Sequence, residues 1–291
     1  MLLAACTPAT APFNPPAAGV LLLGLADGSQ RGQLAFGQDP LAVEVSGDGG
    51  TAFVSDNRAG RVVALSLPSL RRLWTADVGG RPGPLLATLD TLYVSLYEAG
   101  QVAELAPATG MVLGRHLVGR QPGQLALDAG GTVLVHCADG VRDLEGRAHG
   151  GGAGFALGGG WSADYDSGAL LNLASGASLP SPQHMHPFWL GAGPGATAYA
   201  AAEGDDEDRD LGAVLEVGAS GVRSLAQPRD PDQVTYLAGR IFAAAHADHE
   251  VLVLDAAGTA AAQHWARGSA PVALATDARL GLLIVVVNAA E

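Results

Sequence analysis

A proline returns along this chain at a nearly fixed interval. Pro40, Pro82, Pro122, Pro187, Pro231 and Pro271 are separated by 42, 40, 65, 44 and 40 residues. After each one the sequence repeats an order of short apolar runs parted by Gly, Asp and Asn. The first copy gives Pro40-Leu-Ala-Val-Glu-Val, Thr51-Ala-Phe-Val-Ser-Asp, Arg61-Val-Val-Ala-Leu and Arg72-Leu-Trp-Thr-Ala-Asp. The second run of each copy lines up as Phe53-Val-Ser-Asp, Tyr93-Val-Ser-Leu, Leu134-Val-His-Cys, Tyr199-Ala-Ala-Ala, Phe242-Ala-Ala-Ala and Ile284-Val-Val-Val. Apolar runs of this length between turn residues are strands, and no stretch sustains the i, i+3, i+4, i+7 spacing of an amphipathic helix.

A repeat of about 40–45 residues holding four strands is the period of one propeller blade. The copy that starts at Pro271 has only two strands before Glu291. The N-terminal part offers two more, Gly19-Val-Leu-Leu-Leu-Gly and Gln33-Leu-Ala-Phe-Gly, with nothing before them to pair with. Joining the halves makes one blade and removes the open strand edges that an unclosed array would leave. The 65-residue interval is read as two trimmed blades. The expected fold is therefore an all-β, seven-bladed propeller over residues 17–291, its terminal strands sharing a blade; one blade in the long interval would give six.

Charge narrows the function classes. The net charge is −13, and all sixteen basic residues are Arg, with no Lys. No lysine Schiff base can form. A net negative surface is unsuited to nucleic acid and to anionic lipid. Two cysteines, Cys6 and Cys137, are no disulfide framework. No apolar run reaches the ~18 residues of a membrane span. Leu3-Ala-Ala-Cys6 has the form of a bacterial lipobox, followed by a Pro-rich tether. Residues 1–16 are thus expected to be the remnant of a lipoprotein signal plus tether, with Cys6 acylated and the protein exported and held at the cell envelope.

The run Val45-Ser-Gly-Asp-Gly-Gly-Thr-Ala-Phe-Val-Ser-Asp, continued by Arg61-Val-Val-Ala-Leu, resembles the YVTN-type propeller repeat. The resemblance covers most of residues 20–291, strongest in the copies at 40, 82 and 231 and weakest over 123–186. It implies the fold and almost nothing about function. Trp74, Trp161, Trp189 and Trp265 are read as falling at no single repeat position, which disfavours the quinoprotein type of propeller.

In a propeller, the loops from strand 4 to the next strand 1 and from strand 2 to strand 3 share one face. The first set carries Asp39, Arg81, Arg120, Gln121, His184, His186, Arg229 and Asp230; the second carries Asp56, Asn57, Arg58, Glu98, His136, the run 203–210, His246, His249 and Asn288. Convergent polar groups in a concavity are the default site. The ligand-binding candidates are Asp56, Asn57, Arg81, Arg120, His136, His184, His186, His246 and Asn288. His184 and His186, two apart on an extended segment, with His246 and His249, form the candidate metal set. Glu203 to Asp210 carries six carboxylates in eight residues, without the calcium-hand spacing. No Gly-x-Ser-x-Gly, Walker loop or His-Glu-x-x-His is present.

These observations favour a monomeric, non-catalytic propeller that binds a protein, peptide or glycan through its loop face and needs no cofactor. The alternative is a metal-dependent hydrolase or lyase, lactonase-like, with an ion in the central channel and His136 among its ligands.

Overall fold

The computed structural model describes residues 15–182, 185–204 and 211–288. Cys6, His184 and the acidic run 205–210 lie outside the described residues. Within them every regular element is a β-strand. The strands form seven antiparallel sheets arranged as a propeller. The innermost strands are Pro40–Val45, Pro82–Ala87, Leu125–Leu127, Leu157–Gly158, Met185–Ala192, Pro231–Leu237 and Pro271–Asp277, opening blades 1 to 7 in that order. The long interval does hold two blades, the third and the fourth.

Blade 7 is built from both ends of the chain. Its order is Pro271–Asp277, Leu282–Val287, Gly19–Gly24 and Gln30–Ala35. Gly19 pairs with Val287 and the register runs without a break to Gly24 opposite Leu282. Both of these central strands are buried along their whole length. A run such as Leu21-Leu-Leu has no polar alternation because both faces of a blade meet a neighbouring blade.

The core is accordingly distributed. Seven apolar clusters among the described residues occupy the seven gaps between adjacent blades. Val20, Leu22, Val54, Val63 and Ile284 fill the gap between blades 7 and 1. The thinnest gap lies between blades 3 and 4, where Leu134, Val141 and Leu157 meet.

Blade 3 shows three strands among the described residues. Its outer edge is finished by the chain that follows, with Arg142 bridged to Ala148. Asp143, fully buried, organises this turn. It accepts hydrogen bonds from Arg147 Nε at 2.7 Å, His149 Nε2 at 3.0 Å and the Glu145 and Arg147 amides. Burial alone would raise its pKa, but the bonds from His149 and Arg147 outweigh it and hold the carboxyl well below the usual range.

The four tryptophans share no single position, Trp161 lying in a second strand and Trp189 in a first, but two of them hold equivalent places. Trp74 and Trp265 each stand 34 residues after their anchor prolines, Pro40 and Pro231. Each lies against a glycine in the turn before the last strand of the next blade. A Cβ at Gly110 would come 2.5 Å from the Trp74 ring, and one at Gly28 2.4 Å from that of Trp265. Both glycines have a left-handed φ, +71° and +68°. Trp74 Nε1 also donates to Pro107 O at 2.8 Å.

Leu22→Ala removes a fully buried side chain from the gap between blades 7 and 1. It is expected to cost about 2–5 kcal/mol, read from the denaturant midpoint.

Candidate functional site at the channel mouth

The innermost strand of each blade has one neighbour and one free edge on the axial channel. Proline lacks an amide N–H, so it fits the first residue of such an edge strand without loss of a ladder bond. The residue after the anchor proline then falls in a β-bulge. The register skips Leu41 in blade 1, Gly83 and Pro84 in blade 2, Phe188 in blade 5, Asp232 in blade 6 and Val272 in blade 7. All six of these residues line one cavity of about 880 Å³. A bulge re-aims its extra residue, and in these five blades it turns that position toward the axis.

Both loop sets reach the same cavity. Asp39 and Asp230 come from the loops between blades; Asn57, Tyr97, His246 and His249 come from those between strands 2 and 3, and Asn288 directly follows the second strand of blade 7. The chain turns sharply at this rim. Arg81, Gln121 and Asp230, each just before an anchor proline, have φ of 54°, 49° and 46°. Such values are uncommon for residues other than glycine.

The wall has two characters. Tyr97, Phe155 and Phe188 form an aromatic arc across blades 2 to 5. Tyr97 stacks on Phe155 with ring centroids 5.9 Å apart, and Phe155 meets Phe188 at 6.4 Å. The other side is acidic. One oxygen each of Glu203, Asp230 and Asp232 lie within 4.8 Å of one another. His246 Nδ1–H donates to Asp232 Oδ2 at 2.8 Å. That bond holds the His246 imidazole above its ordinary value. Burial pushes the Asp232 carboxyl upward, which the bond from His246 only partly offsets. Farther along the strand Pro40–Val45, Glu44 is partly reached by water, yet burial pushes its carboxyl up to about 8.

The candidates from sequence divide into three groups. Asn57, His246, His249 and Asn288 line the cavity. Asn288 Nδ2 donates to Asp39 Oδ1 at 2.6 Å, and Asn57 is held by Pro82 O and Arg81 Nε. A second group serves the fold. Asp56 is fully buried, takes the amides of Gln38 and Asp39 and pairs with Arg61 at 3.1 Å. His136 is also fully buried, its ring nitrogens 2.8 Å from Ala156 O and 3.0 Å from Gly152 O. It ties the short blade 3 to the chain entering blade 4. Arg120 is fixed by its amide to Asp139. His186 Nδ1 lies 2.6 Å from Tyr165 O. Neither Arg81, Arg120 nor His186 is among the cavity's lining residues. The third group, His184 and Cys6, is outside the described residues. Among the described residues the one set of three donors close enough to share an ion is Glu203, Asp230 and Asp232, not the histidines expected from sequence. Sequence reasoning missed Tyr97, Phe155, Phe188 and Asp232. Phe188 and Asp232 carried a usable signal, since each directly follows an anchor proline.

No described protein family matches the chain, and no curated protein matches it. Solved structures do. A streptogramin B lyase shares 12% identity over 93% of this chain and 98% of its own, with a TM-score of 0.67. Virginiamycin B lyase from Staphylococcus aureus shares 10% identity over 92% of this chain and 98% of its own, at 0.66. BamB from Moraxella catarrhalis shares 17% over 94% and 92%, at 0.53. At these identities the likeness establishes the propeller fold.

Two titrations check the site. By NMR, His246 is expected to titrate above the ordinary ~6.5 of histidine, and Asp232→Asn to lower its midpoint. Glu44 has its folded value above its unfolded one of 4.5. Its contribution to stability is therefore complete below 4.5 and is lost as pH rises through about 8. Glu44→Gln is expected to gain on the order of 2 kcal/mol above that pH in denaturant melts and to flatten the slope.

Proposed function

We propose that this protein is an envelope-tethered binding propeller that holds a peptide segment at its channel mouth without turning it over. The observation that carries the reading is the convergence of bulge residues and both loop sets on one cavity with an aromatic wall. A volume of about 880 Å³ falls within the ~300–1,000 Å³ usual for ligand sites. Rings presented from three different blades give contact area at low entropic cost, as binding surfaces require. The lipobox-like Leu3-Ala-Ala-Cys6 supports a lipid-anchored location, in which the Pro-rich stretch after it serves as a spacer.

A second reading has one specific observation in its favour. The oxygens of Glu203, Asp230 and Asp232 stand at a spacing that could serve a divalent ion, as a metal-dependent lyase or hydrolase would need. Elemental analysis of the purified protein and calorimetric titration with Mg²⁺, Mn²⁺ and Zn²⁺ separate the two readings. Stoichiometric metal, lost in Asp230→Asn, would favour the enzyme.

The binding reading is tested on peptide and glycan arrays probed with the whole chain. Reproducible peptide signals are expected, weakened roughly tenfold or more by Phe188→Ala. Signals confined to glycans, or indifferent to Phe188→Ala, would refute it.

A further inference from the structure

We infer that Gln124 is the positioning residue of the channel-mouth site: by bridging blades 4 and 5 it seats the Phe155 ring between Tyr97 and Phe188, and the binding wall depends on that bridge. The inference rests on the binding reading above and traces its wall to the two trimmed blades.

In a ring of regular blades each innermost strand meets only its two neighbours. Here the innermost strands of blades 3 and 4 have three and two residues, against six to eight in the other five. At this place two contacts skip a blade. Phe155, on the chain entering blade 4, stacks on Tyr97 of blade 2. Gln124, on the chain entering blade 3, bonds to Leu190 of blade 5.

The Gln124 side chain is buried, and both of its polar atoms are used. Oε1 accepts from Leu157 N at 3.0 Å and from Leu190 N at 3.1 Å, while Nε2 donates to Leu190 O at 2.5 Å. A side-chain amide carries donor and acceptor together, so it can tie the backbone edges of two strands at once. Leu157 and Leu190 each stand two residues after a ring of the arc, Phe155 and Phe188. The Gln124 backbone N–H donates to Phe155 O at 2.9 Å. One residue of blade 3 thus holds the segments that carry two of the three rings. Without it, buried amides of blades 4 and 5 lose their acceptor, which is costly enough to let the two strands shift.

Gly123 completes the seat. Ser95 Oγ of blade 2 donates to Gly123 O at 2.6 Å. A Cβ at Gly123 would come 2.9 Å from Phe155 Cα and Cδ1, so Phe155 lies directly against this backbone. Gln233 stands at the same distance after its anchor proline as Gln124 does, and its Oε1 accepts from Leu274 N of the next blade. A glutamine here ties neighbouring inner strands. The two-residue inner strand of blade 4 lets Gln124 reach one strand farther.

The test compares three variants under conditions where melts show each to be folded. Gln124→Met keeps the volume and loses the side-chain bonds. Gly123→Ala presses on Phe155 and leaves Gln124 in place. Leu22→Ala weakens the gap between blades 7 and 1 only. Gln124→Asn, too short to reach both strands, replaces Gln124→Met if that variant does not fold. With Phe and Tyr labelled, NMR reads the Tyr97–Phe155 and Phe155–Phe188 ring contacts, and peptide arrays probed with the whole chain read binding. Gln124→Met and Gly123→Ala are expected to lose both ring contacts, and their peptide signals to fall roughly tenfold or more, as in Phe188→Ala. Leu22→Ala is expected to keep both. Ring contacts that persist in the Gln124 variant would overturn the inference. So would peptide signals that survive the loss of those contacts, or that fall equally in Leu22→Ala. A wild-type signal that the Gln124 variant leaves intact removes the role of Gln124 and spares the binding reading; a wild-type chain that gives no peptide signal overturns both.

Discussion

The hydrogen-bonded ladder between Gly19–Gly24 and Leu282–Val287 is the joint on which the ring depends. A blade is a small twisted sheet, apolar on both faces, and cannot bury both by itself. In an open array the first and last blades would each leave one face and one edge bare. Pairing the two ends of the chain in blade 7 supplies the missing neighbour on both sides at once. The clusters flanking that blade show it. Leu22 and Ile284 point into the gap with blade 1, while Leu21 and Val285 point into the gap with blade 6.

Closure also fixes what can line the channel. Once seven sheets stand round an axis, the inner edge of each is a strand without a partner. Edge strands tolerate proline and bulges, and here the two occur together. The anchor proline spends no ladder bond, and the residue after it is turned out of register toward the axis. A repeat that looks like a fold signature in the sequence is thus also, in five of the seven blades, a device that presents a variable position to the mouth. The mouth is asymmetric because those side chains differ: Phe188 continues the aromatic arc, while Asp232, one blade on, begins the acidic side.

The same geometry explains why several polar residues near the rim are not available for binding. The turn between blades leaves backbone amides that need acceptors, and carboxylates in the loops after the second strands provide them. Asp56 accepts from Gln38 and Asp39, Asp139 from Arg120, and Asp248 from Arg229. His136 closes a similar gap where blade 3 has no fourth strand among the described residues. Their types and positions suited a binding face, but the backbone holds them first.

The sequence by itself determined the strands, the repeat and the closure. Apolar runs bounded by Gly and Asp allow little else, and unmatched pairs of runs at the two ends have only each other as partners. It even contained the equivalence of Trp74 and Trp265, although the small residues they cover, Gly110 and Gly28, lie in the following copy. What only the tertiary structure decided is which polar and aromatic groups face the axis. Tyr97, Phe155 and Phe188 lie far apart in the chain and meet because three blades converge. His246 joins Asp232 rather than the neighbouring His249. Side-chain direction at the rim depends on a bulge in one strand and on the angle between blades, and local spacing encodes neither.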